Sequence, residues 1–246
     1  SNKKKSGLIS TIVNKIGDTN YNTTHTTPDV LTINKLLSRM IKENCEYCFM
    51  EVSSHAISQN RIFGLQFDIA VFTNISHDHL DYHETFDNYM LAKKKLFDML
   101  SSDSFALINN DDNHAKTMIH HSKAKSKTFS LKSIADFKGR ILERSIDGML
   151  LNIDGSEVWI KLVGDFNAYN ILVVYSIAIL LGGEKINVLT KLSELKPIEG
   201  RFQLVKSENG IVGIVDYAHT PDALKNILDS INSIRDLKKQ LITVVG

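Results

Sequence analysis

Three histidines and two aspartates occur within seven residues, from His77 to His83 in the stretch "HDHLDYH". Imidazole nitrogens and carboxylate oxygens accept protons and bind divalent ions. Glu51 ends an earlier apolar run and adds another carboxylate. Oxygen ligands favour Mg²⁺ or Mn²⁺, and a histidine among them fits manganese or a loosely held magnesium. A single histidine is usually structural, so we expect only one or two of these imidazoles to be functional.

Lys93 is the first of three consecutive lysines, and helical periodicity separates it from the other two. On a helix over residues 86–100, Lys93 falls in the middle of an apolar stripe, whereas Lys94 and Lys95 fall on the opposite, solvated side. A buried ammonium is costly unless it is paired or loses its charge. The pattern leaves two outcomes open, a salt bridge to a carboxylate or carbamylation of the neutral amine by carbon dioxide.

The elements that must position these groups alternate between short apolar runs and helical patterns. Helices are predicted over residues 30–41, 86–100 and 114–122. The predicted strands are almost continuously apolar, as in a parallel sheet covered on both faces, and are "GLISTI", "YCFMEV", "FDIAVFTN", "SFALINN" and "KTFSL". This alternation predicts an α/β fold with ligands at the carboxyl ends of its strands. Glu51, the histidine cluster and Lys93 could then surround one divalent ion.

The pattern changes from about Gly139. "GMLLNI" and "SEVWIKL" flank Asp154-Gly155, which predicts a β-hairpin. A largely buried helix is predicted for "DFNAYNILVVYSIAILLGG", and a further helix follows it. We interpret "LKPIEGR" as a domain junction, with one domain over residues 1–199 and the beginning of a second over residues 200–246. The second has strands "FQLVK", "IVGIVDY" and "QLITVVG" and a helix that begins at Thr220-Pro221.

Composition places the chain among ordinary globular proteins. It has 246 residues, 43% hydrophobic and 23% charged, with a formal net charge of +1. The near-zero charge argues against a broad nucleic-acid surface. No apolar run is long enough to span a bilayer, and the first residues lack the apolar region of a signal peptide. We therefore expect a cytoplasmic protein with no nucleic-acid partner and no membrane insertion. Cys45 and Cys48 form a C-x-x-C, which we interpret as structural, with Cys48 buried in a strand.

Four stretches of the sequence resemble the Mur ligase family: "TTPD", "MEVSSHAISQNRIFGLQFDIAVFTNISHDHLDYH", "YMLAKKKLF" and "DYAHTPDAL". The resemblance covers essentially the whole chain and is strongest to the branch that adds the third amino acid of the peptide. It implies a central ATP-binding α/β domain with a mostly parallel sheet and a small β-hairpin subdomain, followed by the start of an α/β C-terminal domain. It also implies a monomeric full-length protein.

The chemistry implied by the resemblance is ATP-dependent amide-bond formation. ATP phosphorylates the terminal carboxylate of a UDP-MurNAc-dipeptide, and the amine of an incoming amino acid, diaminopimelate or lysine, attacks the acyl-phosphate. The implied cofactors are ATP and Mg²⁺. Lys93 matches a carbamylated catalytic lysine whose carbamate helps to hold magnesium, and Glu51 and His79 match other metal ligands.

The resemblance also implies binding roles outside the metal site. The matched substrate contacts are Thr26, Thr27, Ser53, Gln59 and Arg61. The matched nucleotide contacts are Asn167, Asn170, Arg201, Asp216 and His219, and His219 is assigned a catalytic role. Asp78, Asp81 and His83 are expected to shape the loop by hydrogen bonding, and His77 receives no role.

The sequence contains no G-x-x-G-K-[ST] motif, which in the family comes immediately before the segment that begins here with "GLISTI". We therefore expect a central domain without its phosphate-binding loop, with at best weak ATP binding and no ligase turnover by itself. Alternative hypotheses are a metal-dependent phosphohydrolase using "HDHLDYH", a non-catalytic binding module and a ligase similar to folylpolyglutamate synthetases. The signals "TTPD" and "SSHAISQNR" favour the Mur ligase branch over the last of these.

Overall fold

The computed structural model describes residues 4–236 and 238–245. These residues form two compact units. The first unit falls within Ser1–Ala70, His79–Ala106 and Lys116–Lys125, and the second within Val71–Asp78, Leu107–Ala115 and Ser126–Gly246. No helix in the described ranges combines the length and the hydropathy needed to cross a membrane.

The first unit contains a four-stranded sheet with the order β3-β2-β1-β4. Its strands are β1 (Ser6–Ile9), β2 (Asn14–Ile16), β3 (Thr19–Tyr21) and β4 (Tyr47–Met50). β1 pairs with β2 in antiparallel and with β4 in parallel orientation. Gly7 of β1 lies so close to helix α1 (Val30–Lys42) that a Cβ would come within 2.2 Å of Met40 Sδ. Glycine at this position therefore leaves room for the Met40 side chain.

The predicted burial of Cys48 and of its strand is wrong. Cys48 is exposed, and the neighbouring Phe49 of β4 is 45% exposed. Within the described chain, β4 is an edge strand, so only β1 flanks it. An apolar run by itself does not distinguish an edge strand from a central one, which explains the error.

The first unit also has four helices besides α1, two of which were not predicted because they are only a turn long. They are α2 (Ser54–Ser58), α3 (Leu80–His83), α4 (Phe86–Asp98) and α5 (Ala115–Ile119), of which α5 has its first residue in the second unit. Asp29 caps α1 by accepting hydrogen bonds from the main-chain N–H groups of Leu31 and Thr32, both at 3.0 Å. Thr85 caps α4 in the same way.

A six-stranded sheet has the order β10-β9-β8-β7-β6-β5, and its β5–β8 part is mostly parallel, as predicted. Its strands are β5 (Ile69–Phe72), β6 (Phe105–Asn109), β7 (Lys125–Ser130), β8 (Phe137–Ser145), β9 (Gly148–Ile153) and β10 (Ser156–Ile160). The hairpin of β9 and β10 is confirmed. Asp154 and Gly155 at its turn both have positive φ, 47° and 82°, as a two-residue turn with matching twist requires.

Asp111 forms a polar centre in the second unit. Its carboxylate accepts hydrogen bonds from Ser130 Oγ at 2.6 Å, Ser133 Oγ at 2.8 Å, the main-chain N–H of Leu131 at 2.8 Å and the hydroxyl of Tyr169 at 2.9 Å. Burial acts to raise the pKa of Asp111, but these hydrogen bonds, those from Ser130 and Ser133 foremost, lower it to about 2. The carboxylate therefore stays charged and fixes the turn after β7.

The rest of the second unit follows the predicted order of elements up to residue 234. It consists of α6 (Asp165–Leu180), α7 (Lys185–Ser193), β11 (Gln203–Lys206), β12 (Val212–Val215) and α8 (Pro221–Ile234). Val163, Phe202 and Ile231 form a buried cluster among these elements. Thr220 caps α8 by accepting from the main-chain N–H of Ala223, as predicted.

The predicted strand "QLITVVG" is not formed over residues 240–245, and Gly246 lies outside the described residues. Ile242, Val244 and Val245 are 76%, 92% and 69% exposed. β-Structure requires hydrogen bonds to a neighbouring strand. In the described chain β11 and β12 pair only with each other. The apolar run therefore remains irregular.

Candidate active site

Glu51 follows β4, and its carboxylate is held by Thr11, which follows β1. Thr11 donates to Glu51 Oε2 from its main-chain N–H at 2.8 Å and from its hydroxyl at 2.5 Å. The hydroxyls of Thr11 and Thr26 are 3.1 Å apart. Thr26 therefore lies beside the hydroxyl that holds Glu51.

Thr27 is completely buried, and its side chain fixes the backbone after Glu51. Its hydroxyl donates to the main-chain oxygen of Glu51 at 2.8 Å and accepts from the main-chain N–H of Ser53 at 3.0 Å. Ser53 in turn caps α2 by accepting from the N–H of Ala56 at 3.2 Å. In this arrangement the Thr27 hydroxyl serves the protein itself, and the predicted contact of Thr27 with substrate stays a prediction.

Arg61 bonds three times to uncharged oxygens. Its Nε and Nη2 donate to Gln59 Oε1 at 2.9 and 2.5 Å, and its Nη1 donates to the main-chain oxygen of Thr27 at 2.8 Å. Gln59 Nε2 donates to the Tyr82 hydroxyl at 3.3 Å. These acceptors orient the guanidinium without neutralising its charge. The structure thus joins all five predicted substrate contacts and Glu51 in one hydrogen-bond network within the first unit.

Five rings of the first unit form a group that we call the ring cluster: His55, His79, Tyr82, His83 and Tyr89. The centroid of the His55 ring lies 4.2 Å from the ring centroid of Tyr82, 4.9 Å from that of His79 and 5.5 Å from that of His83. Tyr89 is 5.9 Å from His79 and 5.3 Å from His83. The bond between Gln59 and Tyr82 connects this cluster to the network of Arg61.

Lys93 extends the ring cluster. Its Nζ lies 5.0 Å from the centroid of the buried Tyr89 ring, and the side chain is half-buried. This agrees with the predicted inward orientation. The prediction of a solvated Lys94 is wrong, since Lys94 is only 9% exposed and its ammonium pairs with Asp98 one turn further along α4. The carboxylate of Asp98 offsets the cost of burying the Lys94 ammonium. Lys95 is exposed, as predicted.

Burial is the main cause that lowers the pKa of His83, and the neighbouring His55, His79 and Lys93 lower it further. His83 is 7% exposed, and its Nε2 lies 2.9 Å from the Ser54 hydroxyl. The imidazole is therefore held neutral and hydrogen-bonded, in keeping with the structural role predicted for it.

The described residues include no group of three or more His, Cys, Asp or Glu side chains arranged to hold a metal ion. The donors fit a different kind of site, because Mg²⁺ is often bound by one or two carboxylates together with phosphate oxygens and water. Glu51 supplies such a carboxylate. The convergence of Glu51, His79 and Lys93 on one ion stays a prediction.

The predicted nucleotide contacts lie in the second unit. At the start of α6, Asn170 Nδ2 donates to Asn167 Oδ1 at 3.3 Å, so the two amides share a face as their spacing predicts. Asn167 Nδ2 donates to the main-chain oxygen of Val163 at 2.8 Å. Asp216 accepts from the main-chain N–H groups of Phe202 at 2.7 Å and Ala218 at 2.8 Å.

Arg201 and His219 both contact Tyr217. The guanidinium carbon of Arg201 lies 4.8 Å from the centroid of the Tyr217 ring, and the His219 ring lies 5.0 Å from it. His219 Nδ1 is 2.9 Å from the main-chain oxygen of Tyr217. Because a carbonyl only accepts, Nδ1 carries a hydrogen, and in the neutral ring Nε2 is an acceptor.

Residues 1–178 match the Mur ligase middle domain, and residues 200–246 match the glutamate ligase domain of Mur ligases. The chain belongs to the Mur ligase family. Mur ligases named UDP-N-acetylmuramoyl-L-alanyl-D-glutamate–2,6-diaminopimelate ligase, from Cytophaga hutchinsonii and Bacteroides fragilis, are 52% and 51% identical to it over 242 residues. These alignments cover 98% of the chain and 50% of each relative, so the chain spans about half their length.

Solved Mur ligase structures have the same fold. A structure of a diaminopimelate ligase with the same name superposes with a TM-score of 0.80 at 31% identity, and covers 96% of this chain and 49% of that one. MurF from Thermotoga maritima in complex with ADP has a TM-score of 0.68 at 15% identity, covers 94% of this chain and 51% of that one, and supports the fold alone. The predicted family and fold class are confirmed, whereas the roles of individual residues stay predictions.

Thr11, Tyr82 and Tyr217 contact predicted Mur ligase site residues but were not themselves predicted as site residues. Tyr82 lies within "DHLDYH" and Tyr217 within "DYAHTPDAL", so inspection of the aromatic positions of those motifs could have found them. Thr11 bonds a residue 40 positions away, and no local pattern indicates it.

Proposed function

We propose that this chain is part of an ATP-dependent amide ligase of peptidoglycan synthesis that adds diaminopimelate to UDP-MurNAc-L-Ala-D-Glu. The relatives at 51–52% identity carry that activity in their names, which favours diaminopimelate over lysine. The observation that carries the proposal is the single hydrogen-bond network that joins Glu51 to all five predicted substrate contacts. We further propose residues 1–199 as the central domain and residues 200–246 as the start of the C-terminal domain.

Arg61 is the best-suited anion-binding group of the network. Its three hydrogen bonds go to two uncharged oxygens, so the guanidinium keeps its charge for a diphosphate or a carboxylate. The hydroxyls of Thr26 and Ser53 add hydrogen-bonding groups for sugar or peptide oxygens. Thr27, being buried, acts by fixing the backbone of Glu51 and Ser53.

Glu51, His79 and Lys93 are the proposed magnesium ligands. The bound ion would neutralise phosphate charge and stabilise the charge that develops during phosphoryl transfer. Thr11 fixes one oxygen of the Glu51 carboxylate, and Tyr89 positions the Lys93 amine. Addition of carbon dioxide to the neutral amine forms an N–C bond, releases one proton and leaves an anionic carbamate. This reaction would convert a half-buried cation into an oxygen ligand.

The nucleotide is proposed to contact the second unit. The carboxamides of Asn167 and Asn170 are suited to the donor and acceptor edge of adenine. The guanidinium of Arg201 would bind phosphate oxygens, and the carboxylate of Asp216 would accept hydrogen bonds from ribose hydroxyls. A ring nitrogen of His219 would contact the reacting phosphates. We also propose that the full-length protein is a monomer and lies in the cytoplasm, where ATP and UDP-linked precursors are found.

The test is a ligation assay on the protein encoded by the complete reading frame that contains this chain. UDP-MurNAc-L-Ala-D-Glu, ATP and Mg²⁺ are supplied with either meso-diaminopimelate or lysine, and phosphate release and the tripeptide product are measured. We expect product with diaminopimelate. Arg61→Ala should raise KM for the UDP-dipeptide about tenfold or more, because a charge-assisted contact is lost.

Arg140→Ala, which removes an exposed arginine on β8, is the matched control and should leave KM unchanged. Absence of ATP-dependent product with every amino acid tested would contradict the proposal. The 246-residue chain by itself is expected to show no turnover, and robust ligation by it would show that the predicted need for further segments is wrong.

A further inference from the structure

A shallow cavity of about 710 Å³, largely open to solvent, lies between the C-terminal half of α4 and α5, entirely within the first unit. It shares no residue with the candidate active site. We call it the basic cavity, and its charged and titratable lining consists of Lys94, Lys95, Asp98, Lys116, His120 and His121.

The lining of the basic cavity carries an excess of positive charge. Lys94 and Asp98 pair with each other, so their charges largely cancel. Lys95 and Lys116, both exposed, also line the cavity and add two lysines to it. The whole chain has a formal net charge of only +1, so this concentration of cations is a local feature.

The segment after α5 adds hydrogen-bond donors to the cavity. His120 and His121 are adjacent in sequence, and their rings pack edge to face with centroids 4.0 Å apart. His121 has a φ of +76°, and this left-handed turn accompanies the placement of both imidazoles on the lining. Residues 116–125 contain three lysines and two histidines but no carboxylate, so no acidic group of this segment opposes an anion.

The size and chemistry of the cavity indicate the class of ligand. Small-molecule sites are concave, with volumes of about 300–1,000 Å³, apolar walls and a few convergent polar groups. Leu91 and the aliphatic parts of the lysines supply the walls, and Thr117 adds a hydroxyl. We propose that the basic cavity binds a small anion with two or more negative charges, a phosphate ester or a polyphosphate.

The direct test is a titration of the 246-residue chain with inorganic tripolyphosphate, without divalent ions. Binding is measured by calorimetry, and its position is read from amide chemical shifts in ¹H–¹⁵N spectra. We expect shifts for residues 91–98 and 116–121. The double variant Lys95→Ala/Lys116→Ala should raise Kd about tenfold or more, because both unpaired cations of the lining are removed.

Two further variants test whether binding depends on the cavity itself or only on the net charge of the chain. Lys35→Ala/Lys42→Ala removes two exposed lysines from α1, changes the net charge equally and should leave Kd unchanged. Asp98→Asn removes the negative charge of the lining and should tighten binding about threefold or more. A gain in affinity cannot result from a folding defect.

The proposal is overturned if tripolyphosphate does not bind at millimolar concentration, if both double variants weaken binding equally, or if the shifts centre on other residues such as Asn167 and His219. It is also overturned if vesicles of phosphatidylserine and phosphatidylcholine, or a single-stranded RNA oligomer, bind through Lys95 and Lys116 and tripolyphosphate does not compete. In that case the face would serve a membrane or a nucleic acid.

Discussion

Thr11 donates two hydrogen bonds to a single oxygen of Glu51, one from its main-chain N–H at 2.8 Å and one from its hydroxyl at 2.5 Å. The two residues follow the paired strands β1 and β4, whose parallel register aligns Ile9 with Met50. The sheet therefore presents the carboxylate, and Thr11 sets its orientation.

Thr11→Val keeps the shape and the main-chain N–H but removes the hydroxyl that orients Glu51. In the proposed full-length ligase we expect magnesium affinity or kcat/KM to fall about tenfold to a hundredfold, as for other residues that orient metal ligands. The Mg²⁺ dependence of phosphate release measures the effect. Thr11→Ser is the control and should behave like the native protein. An unchanged Mg²⁺ dependence in the valine variant would show that Thr11 does not act through Glu51.

Lys93→Ala should lower kcat of the proposed full-length ligase by about a hundredfold or more, since it removes a proposed metal ligand. If the lysine acts as a carbamate, a small carboxylate such as acetate should partly restore the variant. Lys42→Ala, which removes an exposed lysine at the end of α1, should retain full activity. Failure of all short carboxylates to restore any activity would favour the ammonium form over the carbamate.

The buried His83 makes stability depend on pH. Because its pKa is lowered in the folded state, the unfolded chain binds more protons just below pH 6.5, so stability is fully present above that pH and declines as the pH falls through this range. Urea unfolding at pH 7.5 and 5.5 measures the slope. His83→Gln should reduce the slope, whereas His25→Gln, at an exposed position, should leave it unchanged. Equal slopes in all three proteins would contradict this role of His83.

Asp111→Asn should lower the free energy of unfolding by about 1–3 kcal/mol, because an amide nitrogen then faces hydroxyl and N–H donors. The pKa of Asp111 is lowered to about 2, so its contribution is present above the unfolded pKa near 3.8 and is lost as the pH falls towards 2. Chemical denaturation at pH 7 measures the loss. Asp103→Asn, at an exposed position, should change stability by less than about 0.5 kcal/mol.

Long periodic segments and capped helices were predictable from the sequence. The helices α1 and α8 begin where Asp29 and Thr220 cap them, α4 follows its apolar periodicity, and the turn Asp154-Gly155 identified its hairpin. The short helices α2 and α3 and the strands β2 and β3 escaped prediction, because three to five residues are too few to show a period. The nine-residue strand β8 was also not predicted, and a register shift between Ile141 and Glu143 interrupts its alternation.

Burial was harder to predict than secondary structure. Helical spacing placed Lys93 towards Tyr89, but it could not show that α4 is also covered on the side of Lys94, where Asp98 supplies the counter-charge. In the candidate site, motifs indicated Glu51 and Arg61. The bond between Thr11 and Glu51 is a contact across 40 residues, which only the folded chain creates.

The carboxamide of Gln59 makes one hydrogen bond as an acceptor and one as a donor. Its oxygen accepts from the guanidinium of Arg61, and its nitrogen donates to the hydroxyl of Tyr82. Glutamate at this position would bind the guanidinium more firmly, yet it would neutralise the cation, and it could no longer donate a hydrogen bond to Tyr82. A neutral side chain of the same length is thus what lets this arginine remain available to an incoming anion.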